Sequence, residues 1–243
     1  MISVICVFND RDVLEKYLLK SLNTQSVEFE LILLDNVNGK FKSAPEALNY
    51  GGNKANGDNL MFIHQDVDLK SDTWLEDVEK EIEKLENCGI AGVAGVPENG
   101  VLKSNIENGI PPNKPGEEIN TPIPVQTLDE CLVIIPRSVF QEYQFDETLN
   151  GWHLYSVDYC LNIIKQGFNV YVMPAYIYHR SYMIYYSKDY YRLLKILFDK
   201  YRDDYEKIYT SCGAWNTSYP VKWYLFLNTR IGFFIKSLVD KLK

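Results

Sequence analysis

Leu60-Met61-Phe62-Ile63-His64-Gln65-Asp66-Val67-Asp68 passes from four apolar residues straight into an imidazole, an amide and two carboxylates. A short run that is apolar at every position suits a strand covered on both faces, and such strands belong to parallel sheets. Two more runs of this kind lie upstream. Residues 3–8 are bounded by Asn9-Asp10, and residues 30–34 are stopped by Asp35-Asn36. Between them Val13, Leu14, Tyr17, Leu18 and Leu22 fall on one helical face. Ser43-Ala44-Pro45-Glu46 predicts a capping box with proline in the first turn, opening a helix that should close near Gly57 as a C′ glycine. The order is β-α-β-α-β. Crossover helices bring the carboxyl ends of parallel strands to one edge, where open α/β sheets bind ligands. Asn9/Asp10, Asp35 and His64/Asp66/Asp68 therefore gather at one crevice.

Downstream, residues 71–87 predict an acidic amphipathic helix with Trp74, Leu75, Val78, Ile82 and Leu85 inward, and residues 90–96 a strand. Residues 97–124 hold six of the ten prolines, the composition of a long functional loop or insertion. Strands follow at 132–135 and at 169–173, the latter closed by Pro174. Between them a helix spans 156–166 and ends at Gly167. Eleven of the eighteen tyrosines lie between Tyr171 and Tyr209. Residues 187–209 predict a helix with Tyr190, Leu194, Leu197, Tyr201, Tyr205 and Ile208 on its apolar stripe. The stretch 221–243 is apolar and net basic, which suits contact with an anionic membrane surface or a partner. The fold class is thus α/β, a mixed, mostly parallel central sheet flanked by helices. Residues 1–185 form the main domain and 186–243 a helical C-terminal extension packed on it, on a membrane or on a partner.

Composition narrows the function. A net charge of −8 speaks against wrapping a nucleic-acid backbone. No stretch approaches 18 uninterrupted apolar residues, and the N-terminus has no cationic leader pattern. The five cysteines are scattered without a C-x-x-C, which fits a reducing cytoplasm rather than a disulfide framework or a zinc site. Carboxylates beside a crevice either hold a divalent cation or do acid–base work. The sequence has no G-x-x-x-x-G-K-[ST], and Gly51-Gly52 does not follow a strand as a dinucleotide loop should. A cation, Mn²⁺ or Mg²⁺, is then the simplest means of holding a diphosphate at an oxygen-rich edge.

At this point the chain resembles the family 2 glycosyltransferases. The resemblance rests on residues 2–9, Ser21-Leu22 with Gln25, the strand ending in Asp35, Ala47-Leu48-Asn49-Tyr50-Gly51, and Ala55-x-Gly57-Asp58. Phe62-Ile63-His64-Gln65-Asp66 stands at the Asp-x-Asp position, and Asp158-Tyr159-Cys160-Leu161 is similar to the later Glu-Asp-x-x-Leu motif. It covers roughly residues 1–180. The resemblance implies the GT-A nucleotide-diphospho-sugar transferase fold and transfer with inversion from a nucleoside-diphosphate sugar to a glycan or lipid-linked hydroxyl, in bacterial surface polysaccharide synthesis. The enzyme would work in the cytoplasm, with possible peripheral contact on the inner face of the membrane. Carried over, Val7, Phe8, Asn9, Asp35, Asn36, Asn49, His64 and Gln65 would bind the nucleotide-sugar, Asp35 through its base. Asp66 and His179 would hold the metal, and Asp158 would be the general base. Trp152, His153 and Tyr155 are candidate acceptor contacts.

Three departures stand out. His64 replaces the first Asp of Asp-x-Asp, although a literal Asp66-Val67-Asp68 lies two residues on. Val157 replaces the acidic residue before the base, and no Arg closes the later helix, where Asn162 and Lys165 stand. They leave open a non-catalytic module of the same fold that binds nucleotide or glycan beside a partner transferase.

Overall fold

The computed structural model describes residues 1–181 and 187–227. The basic residues 228–243, and with them most of the proposed tail, lie outside the described residues, as do residues 182–186. In chain order, β1 (Ile2–Phe8) leads into α1 (Arg11–Leu14), a π-helical turn at Glu15–Leu19 and α2 (Lys20–Leu22). Then follow β2 (Glu30–Asp35), α3 (Ala44–Gly52), β3 (Asn59–Ile63), β4 (Val67–Asp68) and α4 (Trp74–Ile82). The middle of the chain gives β5 (Cys88–Gly92), β6 (Ala94–Val96), β7 (Lys103–Ser104), β8 (Ile106–Asn108), β9 (Ile123–Pro124) and β10 (Thr127–Leu128). Next come β11 (Leu132–Pro136), α5 (Arg137–Glu142), α6 (Tyr155–Lys165), β12 (Asn169–Val172) and β13 (Ile177–His179). Residues 187–227 add α7 (Lys188–Tyr201), the antiparallel hairpin β14 (Lys207–Thr210) and β15 (Gly213–Asn216), and α8 (Val221–Leu227).

The central sheet runs β2-β1-β3-β11-β5-β12-β9. β1 lies parallel to both β2 and β3, as the repeated β-α-β pattern predicts. β11 is antiparallel to both β3 and β5, so its beginning, not its end, meets the end of β3, with Leu132 opposite Ile63. Alternation along β1 feeds two cores. Val4, Cys6 and Phe8 pack with Leu14, Leu18, Trp74 and Leu75 on one face, while Ile5 packs with Ala47, Leu48 and Phe140 on the other. A third core joins Leu154 and, from α6, Val157 and Leu161 to Leu194, Leu197, Ile208 and Trp215.

Several local expectations are corrected. α3 stops at Gly52 with Asn53 as its C-cap, so Gly57 is not a C′ glycine. Gly57 instead lies against β1, where a Cβ would stand 2.7 Å from both Met1 O and Ser3 N. Ser43 does cap α3 by accepting from Glu46 N at 3.3 Å, but the Glu46 carboxylate accepts from Lys42 N rather than from the cap residue. The helix expected over 187–209 ends at Tyr201, and Ile208 lies in the hairpin. Residues 97–124 carry three short strands, and Asn105 fixes the segment by exchanging two 3.0 Å hydrogen bonds with the backbone of Ile119. Among the described residues no helix is long and apolar enough to cross a membrane.

Candidate active site

The strand ends open into a cavity of about 1140 Å³. At one end its wall is Val7 and Phe8 from β1 and Asn9 just after it, with Asn36, Val37 and Gly39 from the turn after β2. Asn36 shapes that turn by accepting from Phe41 N at 2.7 Å. Gln65 locks the ends of β1 and β3 together. Its Oε1 accepts from Asn9 N and Asp10 N, each at 3.0 Å, and its amide donates to Asn9 Oδ1 at 2.7 Å.

Beyond Gln65 the fold brings His64, Asp66 and His179 together, with one potential ligand atom from each lying within 4.8 Å of the others. β13 supplies His179 across from β4, pairing it with Val67, and on its other side pairs it with Asn108 of β8. Asn108 Oδ1 is 3.1 Å from His179 Nδ1, and an amide oxygen only accepts, so Nδ1 carries the proton and Nε2 is left as the ligand nitrogen. That Nε2 is buried without a hydrogen-bond partner among the described residues and stands 3.3 Å from Asp66 Oδ1. Burial would raise the Asp66 carboxyl, but His179 and the Ser181 hydroxyl hold it below the usual carboxylate range. Burial also works to lower His179, and Asp66 more than compensates, raising it. Burial, with His179 adjacent, pushes His64 down to about 4, leaving a neutral imidazole. A buried carboxylate between two imidazoles, one with an orphaned nitrogen, fits a divalent cation with nitrogen–oxygen preference.

Because β11 runs against β3, the residues preceding it reach the same edge. Asp129 and Glu130 line the cavity beside His64, whose N–H donates to Cys131 O at 2.9 Å. Sequence reading missed both, since the orientation of a strand is not written in its composition. Asp129 accepts from Cys131 N at 3.0 Å, and Ser211 of the β14–β15 turn lines the same cavity. Burial notwithstanding, Ser211 and His179 keep it below its ordinary value. Tyr155 also lines the cavity, but its hydroxyl donates to Glu130 O at 3.2 Å and lies 3.3 Å from His64 Nε2, so it positions its neighbours. Trp152, 41% exposed, and His153 complete the far end with Tyr190 and Cys212.

Three predicted site residues are not brought to the cavity wall. Asn49 is buried, and its amide is spent on the backbone of Phe145 (2.9 and 3.0 Å) and on Glu147. Asp35 sits at the mouth, 54% exposed, where it accepts from Val37 N at 3.0 Å and lies 3.8 Å from Arg11. Asp158 points from α6 into the contact with α7. There it is 2% exposed, 2.7 Å from Lys200 Nζ and 2.9 Å from the Tyr201 hydroxyl. A carboxylate closed in this way cannot reach a substrate in the cavity, because the helix face that carries it is the one buried against α7.

This sheet, with a ligand crevice at its mixed-strand edge, is the GT-A glycosyltransferase fold, and solved structures align with it at low sequence identity. A mannosyltransferase from Pyrobaculum calidifontis in complex with GDP-Man and Mn²⁺ aligns with a TM-score of 0.61 at 13% identity, over 84% of this chain and 64% of that one. GalNAc-T7 with UDP, GalNAc and Mn²⁺ gives 0.60 at 14%, over 84% and 49%. TarS of S. aureus gives 0.56 at 15%, over 82% and 39%. The chain therefore spans less than two thirds of the length of each. The family model described as glycosyltransferase-like family matches residues 3–201, and the chain belongs to that family. A curated relative, ATP synthase subunits region ORF 6 of Fuscovulum blasticum, is 26% identical over 181 residues, 70% of each chain.

Proposed function

We propose that the protein transfers a sugar, with inversion, from a nucleoside-diphosphate sugar to a hydroxyl of a glycan or lipid-linked acceptor in bacterial surface polysaccharide synthesis. The observation that carries this is the His64–Asp66–His179 cluster set inside the cavity between the Val7–Asn36 wall and the aromatic far end. The GT-A relatives captured with UDP, GalNAc or GDP-Man and Mn²⁺ support it. The nucleoside lies along Val7, Phe8 and the Asn36–Gly39 turn, with Asp35 at its mouth. His64, Asp66 and His179 would hold the cation, Mn²⁺ before Mg²⁺ because two of three donors are imidazoles. When bound, that ion neutralises charge on the departing diphosphate. Gln65 and Asn9 fix the strand ends that flank the donor. The acceptor oxygen bonds to the anomeric carbon, the bond to the phosphate oxygen breaks with its electron pair, and the acceptor proton passes to a base of the cavity.

Thermal unfolding against UDP, dTDP, GDP and CMP, with and without Mn²⁺ or Mg²⁺, tests the donor site. A nucleotide at about 100 times its Kd stabilises by about 2.7 kcal/mol, a rise in Tm of about 5–10 °C. The expected result is a metal-dependent rise for one nucleotide that Asp66→Asn removes; no rise with any nucleotide sinks the reading. The burial of Asp158 favours a second reading, a non-catalytic nucleotide- or glycan-binding module. It predicts the same rise without release of nucleoside diphosphate from any donor sugar. Peripheral contact with an anionic membrane belongs to the same proposal. Its support is the basic sequence after Val221 and the exposure of Tyr219, Trp223 and Leu225.

A further inference from the structure

The central sheet orders the cavity. Along its edge lie, strand by strand, the Asn36 turn (β2), Val7–Asn9 (β1), His64–Asp66 (β3) and Asp129–Glu130 (before β11). Neighbouring strands are about 4.8 Å apart, so each step along the edge moves one strand spacing through the cavity. If the nucleoside occupies β2 and β1 and the diphosphate faces β3, the sugar carbon and the incoming hydroxyl fall beside the start of β11. This step rests on the transferase reading above.

Two carboxylates stand there, and they are not equivalent. Asp129 already accepts from Cys131 N. Glu130 has an Oε1 closed off from solvent and without a hydrogen-bond partner among the described residues. The backbone N–H groups of Leu154, Tyr155 and Ser156, at the N-terminus of α6, favour the charged form of its carboxyl. Leu154, the N-cap of α6, turns through a φ of 63°. The backbone oxygen of Glu130 is held by the same Tyr155 hydroxyl that touches His64. The residue is thus fastened to the metal-ligand cluster on one side and to the helix start on the other, with one oxygen unused.

We propose that Glu130 is the base that takes the acceptor proton, the role that its position in the motif assigns to Asp158. The acceptor oxygen forms its bond to the anomeric carbon, its proton moves to the Glu130 carboxylate that lines the cavity, and the phosphate oxygen leaves with the bonding pair. Burial, with Asp129 beside it, pushes the Glu130 carboxyl above its ordinary value, which strengthens it as a proton acceptor, while the α6 N–H groups act in the opposite sense.

The test uses the full chain with Mn²⁺ and a panel of UDP-, dTDP- and GDP-sugars, with water as the acceptor. Release of nucleoside diphosphate is followed beside the Tm rise with nucleotide. Glu130→Gln is expected to lower turnover at saturating donor by about 100-fold or more, with the nucleotide-induced rise in Tm and the donor KM unchanged. Glu130→Gln turnover within about threefold of the parent overturns the assignment. So does loss of turnover and Tm rise together, which marks a structural role. Loss of turnover in Asp158→Asn or His153→Gln with the Tm rise intact, while Glu130→Gln stays active, returns the role to those residues. A parent protein with neither Tm rise nor release overturns the transferase reading itself, a result distinct from failure of Glu130 alone.

Discussion

Lys200 stands between two carboxylates, 2.8 Å from Asp146 and 2.7 Å from Asp158. Burial pushes Asp158 above its ordinary value even with Lys200 opposing it. Removing the cation by Lys200→Met leaves a nearly closed-off carboxylate unpaired. Breaking a fully buried pair costs about 3–5 kcal/mol, and the partial exposure of Lys200 reduces this to about 2–3. The pH dependence has a definite sign. An acid whose folded pKa is raised binds a proton in the folded state before it does so in the unfolded chain. Stability of the variant therefore increases as pH falls through the folded value. Urea unfolding of Lys200→Met at neutral and mildly acidic pH should show the deficit shrinking toward acid; a deficit that grows would refute this account. The same residue shows what a motif conceals. Asp158 occupies its expected place at the start of a helix, but Val157 and Tyr155 face the cavity while Asp158 faces α7. Spacing located the turn, and tertiary packing chose the face. His64 is the converse case, for its place beside Asp66 was legible, but its membership of the cluster depended on β13 bringing up His179.

At the scale of elements, the first three strands and their helices were legible because each strand carries a run of at least four consecutive apolar residues and each run stops at polar ones. β11 was legible as a strand but not in its direction, and that direction is what delivers Asp129 and Glu130 to the site. The β14–β15 hairpin was hidden by aromatic residues whose spacing also fits a helix; Ile208 and Trp215 pack the third core from strands instead. Gly57 was assigned to the wrong element. It donates to Ser3 Oγ at 2.8 Å, and that hydroxyl donates to Glu30 at 2.6 Å, so the glycine joins the starts of β1 and β2. Gly57→Ala forces a methyl group against the β1 backbone, an overpacking that costs about 1–3 kcal/mol. A Gly57→Ala midpoint in urea equal to that of the parent would show that the strand yields without cost.

For the molecule as a whole, charge and surface apply to different ends. The chain is acidic at −8, yet its residues from Val221 onward are net basic, and α8 exposes Trp223 and Leu225. An aromatic, cationic segment on an acidic body is drawn to anionic lipid by both apolar burial and charge. Deleting residues 221–243 should abolish sedimentation with phosphatidylglycerol-containing vesicles and leave the nucleotide-dependent rise in Tm in place. Equal sedimentation of the two proteins would remove the membrane from the proposal.

The place of Ser211 and Cys212 in the cavity wall carries a consequence for how such a protein diversifies. The hairpin closes one end of the cavity from a late part of the chain, while Val7, Asn9 and Asn36 close the other from its first forty residues. Exchange of residues 207–216 between relatives would recut the far end and leave the first end untouched. On the transferase reading, chimeras of this kind would change acceptor choice independently of donor choice, whereas a fragment ending near residue 185 would keep the strand-end cluster and lose one wall of its own chamber.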